Sequence, residues 1–314
     1  MQKPFMTYDQ QIQKLRDKRM TITDEDHAKE VLHRVSYFAL ITGYKDIFKD
    51  PTTKKYRNGV TFEDVEAIYQ FDKQLRELTF RYLLLIEQNL RSVLSYPFCN
   101  IFGDNQSAYI TPQNYNTSTP DKNTEVSKLI NKHLKRFLTQ QTQYIYIEHY
   151  KNHHGNVPLW VLVNALTFGT LSKMYKYSKS QVQSAVSREF AGINEHQLGQ
   201  ILEVLTNFRN VCAHNERLFS HKCPKNDIPD LSLHTKLSIP KQGQQYVCGK
   251  RDYFSVVISM RYLLPKEEFL EYKMILSNLL DKAAKTNAQL PMTELLKMMG
   301  FPSNWKMITR FKIV

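Results

Sequence analysis

The longest regular pattern in the chain begins at Thr61. From there Val65, Ile68, Phe71, Leu75, Leu78, Tyr82, Leu85, Ile86 and Leu90 recur every three or four positions. That spacing makes one face of an α-helix apolar and leaves the opposite face free for charge. Thr61 offers a capping oxygen, and Glu63 and Asp64 put negative charge beside the positive helix end. A long helix is therefore expected from Thr61 towards Tyr96, with Pro97 ending it.

Upstream, two short amphipathic helices are expected. Asp9 precedes Ile12 and Leu15 as a cap, and Thr23 or Asp24 precedes Ala28, Val31, Leu32, Val35 and Phe38, with Gly43 as the stop. Asp50-Pro51 and Asn58-Gly59 mark an irregular or hairpin connection between Asp46 and Gly59. A boundary near residue 60 would divide a small N-terminal helical module, 1–60, from a main helical domain, 61–314.

Downstream, the polar stretch from Gly103 to Asn123 lacks apolar periodicity and reads as an exposed loop. Helical spacing resumes from Val126 to Tyr150, with the aromatic, β-branched run Tyr144 to Ile147 as a candidate break. His153 and His154, beside Gly155 and ahead of Pro158, read as solvated residues of a turn. Leu159 to Tyr177 is the most apolar segment, expected at the centre of a bundle with Trp160, Phe168 and Tyr175 in the core. Ser178 or Ser180 is expected to cap a short helix to Phe190. Asn194 is expected to cap another that carries Leu198, Ile201, Leu202, Val204, Leu205 and Phe208 into Arg209. His221 to Gly249 reads as an inserted loop or a few short strands. Ser255 to Leu264 and Lys266 to Ala288 read as closing helices, followed by a last short one from Leu290 to Trp305 with Pro291 in its first turn. The fold class is mainly all-α.

Composition supports a packed core: 42% of residues are hydrophobic and 12% aromatic, which a disordered chain does not carry. Forty-three Lys and Arg against thirty Asp and Glu leave a formal charge of +13, which points to nucleic acid or an anionic surface as partner without choosing between them. No stretch reaches the roughly 18 apolar residues of a spanning helix, and Met1 to Gln10 lack a signal-peptide core, so a cytoplasmic protein away from membranes is expected. The four cysteines show no Cys-x-x-Cys spacing and read as reduced thiols. His221, Cys223, His234 and Cys248 form a weaker, irregular candidate for a metal. Neither a metal nor another cofactor is expected.

The sharpest chemical signal is Phe208 to Phe219, FRNVCAHNERLF. Cutting RNA without a metal needs a group that moves protons at the 2′-hydroxyl or the leaving oxygen, and a fixed cation to offset charge on the phosphate. Histidine and arginine, as residue types, meet those needs at His214 and Arg209: an imidazole can move protons near neutral pH, and a guanidinium can bond two phosphate oxygens at once. On an ideal helix Asn210 and His214 share a face, and Arg217 follows on the same stripe. Arg209 lies roughly 140° from His214 around that helix. The two heads therefore converge only if the helix end loosens or a second copy completes the cleft. The bland alternatives are a His214 that caps the last carbonyls of its helix and an Arg209 paired with Glu203 or Glu216.

Here the chain resembles a known family. Arg-Asn followed by three residues and His is the Arg-x4-His form of the HEPN nuclease signature. Its flank, Cys212 to Leu218, is similar to the AbiD/AbiF group of abortive-infection proteins. Further resemblance lies in Lys3-Pro4-Phe5, Tyr8 to Ile12, Tyr37 to Tyr44, Glu87 to Arg91, Trp160 to Tyr175 and Gly300-Phe301-Pro302. The resemblance implies a HEPN-like helical bundle, a homodimer with a composite site, and RNA cleavage that leaves a 2′,3′-cyclic phosphate. It implies His214 as acid or base, Arg209 on the scissile phosphate and Asn210 orienting. It also implies a phage-defence toxin, of a group in which some members are held in check by a small structured antitoxin RNA and others are not. RNA-binding candidates beside these are Arg217, Arg91, Lys173 and Lys176, with Glu87 supporting them from behind; for Glu87 and Arg91 a plain i, i+4 salt bridge is the bland reading. The alternative function is a structured-RNA-binding protein that uses the same basic cleft without cutting.

Overall fold

The computed structural model describes residues 4–287 and 289–313. Lys3 of the expected Lys3-Pro4-Phe5 match, Met1 of the expected polar N-terminus and Ala288 of the expected closing helix lie outside the described residues. Among those described, fifteen α-helices and a single two-stranded sheet confirm the mainly all-α class.

Two amphipathic helices open the chain, α1 (Tyr8–Asp17) and α2 (Glu25–Val35), burying Ile12 and Leu15 in one and Ala28, Val31 and Leu32 in the other. Asp24 caps α2 as expected, but Thr7, not Asp9, caps α1 through a capping box with Gln10. The second helix is stopped at Ser36, whose φ of 72° breaks the helical path, and not at Gly43, which sits in a helical conformation after a π turn at Phe38–Thr42. A 3-10 turn at Lys45–Phe48 and an antiparallel bridge between Lys49 and Tyr56 fill the irregular connection.

The long helix α3 (Phe62–Phe102) starts at the expected Thr61 cap, reciprocated by Asp64. It runs through Pro97, against expectation. The proline forfeits a single backbone bond, while continuing buries Phe98 completely against Phe102 and Tyr115, with ring centroids 5.0 and 5.6 Å away. Packing outweighs the local penalty.

The stretch after α3 is ordered, not an exposed loop. It holds α4 (Gln106–Ile110) and a 3-10 turn, then α5 (Pro120–Lys128), and it buries Ala108, Tyr109 and Tyr115. The two tyrosine hydroxyls donate to the carbonyls of Val157 and Tyr109 at 2.7 and 2.8 Å, so a few hydrogen-bonded aromatics replace a periodic aliphatic face. A π turn at Leu129–Leu134 leads into α6 (Arg136–Thr139), and after a break come α7 (Ile145–His149) and α8 (Leu159–Leu162).

The apolar segment folds as α8, a 3-10 turn and α9 (Phe168–Tyr177), and Phe168 and Tyr175 are fully buried. Trp160 is not core: it is 46% exposed. The single turn of α8 aims Leu159, Val161 and Leu162 inward, which leaves the residue between them facing out. Next come α10 (Ser180–Ser187) and α11 (Glu195–Ala213). Asn194 caps α11 in a capping box with Gln197, whereas α10 begins after Lys179 without a side-chain cap, because Ser178 turns its hydroxyl back to the Met174 carbonyl.

The expected insertion holds α12 (Ser232–Lys236) and the hairpin of β1 (Lys241–Gln242) and β2 (Gln245–Tyr246), with Lys241 opposite Tyr246. Then α13 (Tyr253–Leu263), α14 (Lys266–Thr286) and α15 (Met292–Met298) close the chain. Helix α3 is the axis, packed by α8, α9, α10, α11 and α14. A chain of buried hydroxyls ties it to its neighbours: Thr79 to Tyr253 at 2.7 Å, and Tyr253 to Tyr272 at 2.9 Å. Each polar atom in that chain is satisfied, so burial costs little.

Candidate active site

Helix α11 carries the chemical motif on its last turns. Leu198, Ile201, Leu202, Val204, Leu205, Phe208 and Val211 are buried against α3, α9 and α13, which fixes the rotation of the helix. Arg209 and Asn210 then emerge on neighbouring faces, and each face has its own partners.

Arg209 points at α3. Its Nε stands 3.7 Å from Glu87 Oε2, and its guanidinium lies 5.4 Å over the Phe80 ring. Glu87 is only 3% exposed at its side chain and accepts from Arg91 at 2.6 Å, so the expected Glu87–Arg91 pair forms and Arg209 joins it. Arg209 therefore pairs with neither Glu203, which holds Lys176, nor Glu216. One carboxylate serves two guanidinium groups, which leaves one surplus positive charge. Glu87 Oε2 and the Nε atoms of Arg91 and Arg209 are buried without hydrogen-bond partners among the described residues, so charge rather than a full set of hydrogen bonds holds this part of the cluster.

Asn210 lies on the adjoining face, about 100° around the helix. Glu203, Thr206 and Asn210 recur along one stripe of α11 and line a groove of ≈ 430 Å³ together with Lys173, Lys176, Thr170 and His133. Gly169 lets α9 approach α11 here, since a Cβ at that position would stand 3.2 Å from Thr206 Cγ2. The Lys173 and Lys176 expectation thus places them beside one motif residue. His133, half-buried at the end of a π turn, was not singled out by the sequence, and an isolated histidine in a basic segment carries no signal that would have found it. Burial and the charge of Lys173 push its imidazole below the ordinary histidine range, so it is neutral at pH 7.

Helix α11 ends at Ala213, and His214 is its C-cap. The His214 backbone N–H returns to the Asn210 carbonyl at 2.9 Å, Asn215 takes a left-handed φ of 57°, and the imidazole is exposed. Arg209 is turned to Glu87 and Phe80, while His214 lies exposed at the helix end. Arg217 does not continue the Asn210–His214 stripe, because the helix has already stopped; it donates to the Gly43 carbonyl at 2.7 Å.

The segment after His214 is pinned by Asp72, fully buried on α3. Its carboxylate accepts from the Tyr44 hydroxyl at 2.6 Å, Arg76 Nη1 at 2.6 Å, Phe219 N at 2.7 Å and Leu218 N at 3.0 Å. Arg76 Nη1 also reaches the Glu216 carbonyl at 3.2 Å. Burial pushes the Asp72 carboxyl up, and Arg76, Tyr44 and the two amides pull it down; donors converging from four groups are the partners of an ionised carboxylate. Cys212, inside the motif, is not a nucleophile, since burial pushes its thiol up to about 12.

The irregular metal candidate does not assemble. His221 Nε2 bonds Asn207 Oδ1 at 2.6 Å, both ring nitrogens of His234 are engaged by the backbone of Leu231 and Gly249, and among the described residues no three His, Cys, Asp or Glu side chains are placed to hold an ion.

A family model described as Abi-like protein matches residues 30–220, more than half of the chain and all of the motif. The chain belongs to the Abi-like protein family. Membership supports a role in abortive infection, the phage-defence response. The matched span of this Abi-like protein includes Asp72, Glu87, Arg91, Lys173, Lys176, Arg209, Asn210 and His214. Neither the curated proteins nor the solved structures give a match. Among the described residues no helix is long and apolar enough to cross a membrane.

Proposed function

We propose that this Abi-like protein is a metal-independent endoribonuclease that acts as a growth-arresting toxin. The observation that carries the reading is an exposed His214 at the C-terminal end of α11 together with an Arg209 on the same last turns, held by a buried carboxylate on α3. Lys173, Lys176 and Asn210 extend the site as a groove for the RNA backbone. In this reading His214 moves the proton at the 2′-hydroxyl or the 5′-leaving oxygen, and Arg209 offsets charge on the phosphate as the 2′-oxygen attacks. The 2′-oxygen–phosphorus bond forms as the bond to the 5′-oxygen breaks, which leaves a 2′,3′-cyclic phosphate. Asn210 orients the substrate, and Arg91 shares Glu87 with Arg209. A second copy completes the cleft about a two-fold axis, and a small structured RNA occupies the groove when the toxin is held silent.

Purified protein is expected to cut single-stranded RNA in EDTA and to leave cyclic phosphate ends. His214→Ala and Arg209→Ala should each lose at least about 100-fold in rate while unfolding at the wild-type urea midpoint. Cleavage undiminished in folded His214→Ala refutes the proposal. Tight, salt-sensitive RNA binding with no product in the wild-type protein instead establishes the non-cutting alternative.

A further inference from the structure

A second cleft, of ≈ 610 Å³, lies where four segments meet: α3 at Asn89, the turn after α10, the α13–α14 junction and the C-terminal segment. Asn89 follows Glu87 by two positions, about 200° around the helix, so this cleft opens across α3 from the Glu87–Arg209 pair. Its lining is unbalanced in charge. Arg261, Lys266, Arg310 and Lys312 face one carboxylate among the described lining residues, Glu189.

Arg261 is the informative member. It is half-buried, and among the described residues its Nη2 reaches the Phe311 carbonyl at 3.3 Å and its buried Nε has no partner. Its guanidinium lies 5.5 Å over the Phe269 ring. Burial pulls its pKa down, against a smaller upward pull from the Tyr262 phenol. A cation half-withdrawn from water with no counter-charge among the described residues is costly, and a cleft that does so while gathering three more cations is suited to an anion. The fork of a guanidinium suits phosphate, and apolar walls such as Phe190 and Phe311 suit the rest of a nucleotide.

We propose that this cleft binds a phosphate-bearing ligand, with Arg261 as the half-buried contact and Lys266, Arg310 and Lys312 around the rim. The ligand is either a free phosphorylated small molecule or a stretch of polynucleotide backbone. The site is separate from the α11 motif and independent of whether that motif cuts RNA.

The test titrates the full-length protein with inorganic pyrophosphate and with a short 2′-O-methyl RNA, which lacks the attacking hydroxyl. Calorimetry is run on the wild type, on Arg261→Gln and on the exposed pair Arg310→Gln/Lys312→Gln, each also in a Lys173→Gln/Lys176→Gln background that silences the other groove. Saturable binding that both variants weaken by about tenfold or more supports the site. Weakening with pyrophosphate identifies a free phosphorylated ligand, and weakening with the RNA alone identifies a polynucleotide. The exposed pair decides the matter if Arg261→Gln fails to fold. Absence of saturable binding of either probe to the wild type, or variants that bind as it does, overturns the proposal.

Discussion

Asp72 is the residue whose removal should reveal most about how the motif is held. It is fully buried, and Arg76, at 4% exposure, has it as its one carboxylate partner among the described residues. Asp72→Ala leaves a buried guanidinium unpaired, a change that costs about 3–5 kcal/mol. It also strips the acceptor from the Leu218 and Phe219 amides, at about 1–3 kcal/mol for each buried donor left unmet. The terms do not add, because one carboxylate serves them all and the loop can open to water, so a loss of about 4–6 kcal/mol is expected. Urea denaturation followed by circular dichroism measures it. The paired change Asp72→Leu/Arg76→Met, which removes both charges and keeps the volume, should recover the part due to the unpaired guanidinium and leave the part due to the unmet amides. If Asp72→Ala unfolds within about 1 kcal/mol of wild type, or if the paired change is no better than the single one, then the ionised network does not hold the segment that follows His214.

Two further changes probe the support of the C-terminal helices. Gly300 has a φ of 80°, and a Cβ there would lie 2.1 Å from Asp252 Cγ, so Gly300→Ala should cost about 3 kcal/mol or more in the same denaturation assay; an unchanged midpoint would show that Asp252 shifts freely. Asp252 itself, which caps α13 and accepts from Gly249 N, has its carboxyl pushed by burial up to about 6. The folded state then holds the proton longer than the unfolded chain does, so this group's contribution to stability falls as pH rises from about 4 to about 6 and levels off above. Stability of wild type relative to Asp252→Asn should therefore decline across that window; a difference independent of pH would contradict the burial argument.

Much of this was readable from residues because local chemistry and packing agree. The Thr61 and Asn194 caps formed with their helices, and the apolar spacing of α11 delivered Arg209 and His214 to one helix end. The misreadings share a physical cause: a local rule overruled by burial. Pro97 is carried by the aromatic cluster around Phe98, and Tyr109 and Tyr115 order a polar stretch through their hydroxyl bonds. Trp160 was misplaced because periodicity is silent where every neighbour is apolar. Asp72 left a signal that could have been used. It falls on the buried stripe Val65, Ile68, Leu75, Thr79, with Arg76 one turn on, and an acid–base pair inside an apolar stripe has to be satisfied by something distant in sequence. No spacing reveals that the something is the backbone after His214.

The two carboxylates on α3 divide the work of positioning, and the division can be measured. Asp72 and Glu87 are fifteen residues apart, roughly 22 Å along the helix axis. One fastens the chain after His214, and the other holds Arg209. Under the nuclease reading these contacts serve different stages of the reaction. Asp72→Asn keeps the shape but sets an amide against four donors, so it should disturb the placement of the imidazole and lower kcat by about tenfold or more with KM little changed. Glu87→Gln leaves Arg209 and Arg91 without a shared counter-charge, so the guanidinium disperses and KM should rise while kcat changes less. Steady-state cleavage of a fluorogenic RNA by the two variants separates these outcomes. If both variants move the same parameter by the same factor, α3 supports the site only as a scaffold, and neither carboxylate acts on one reacting group more than on the other.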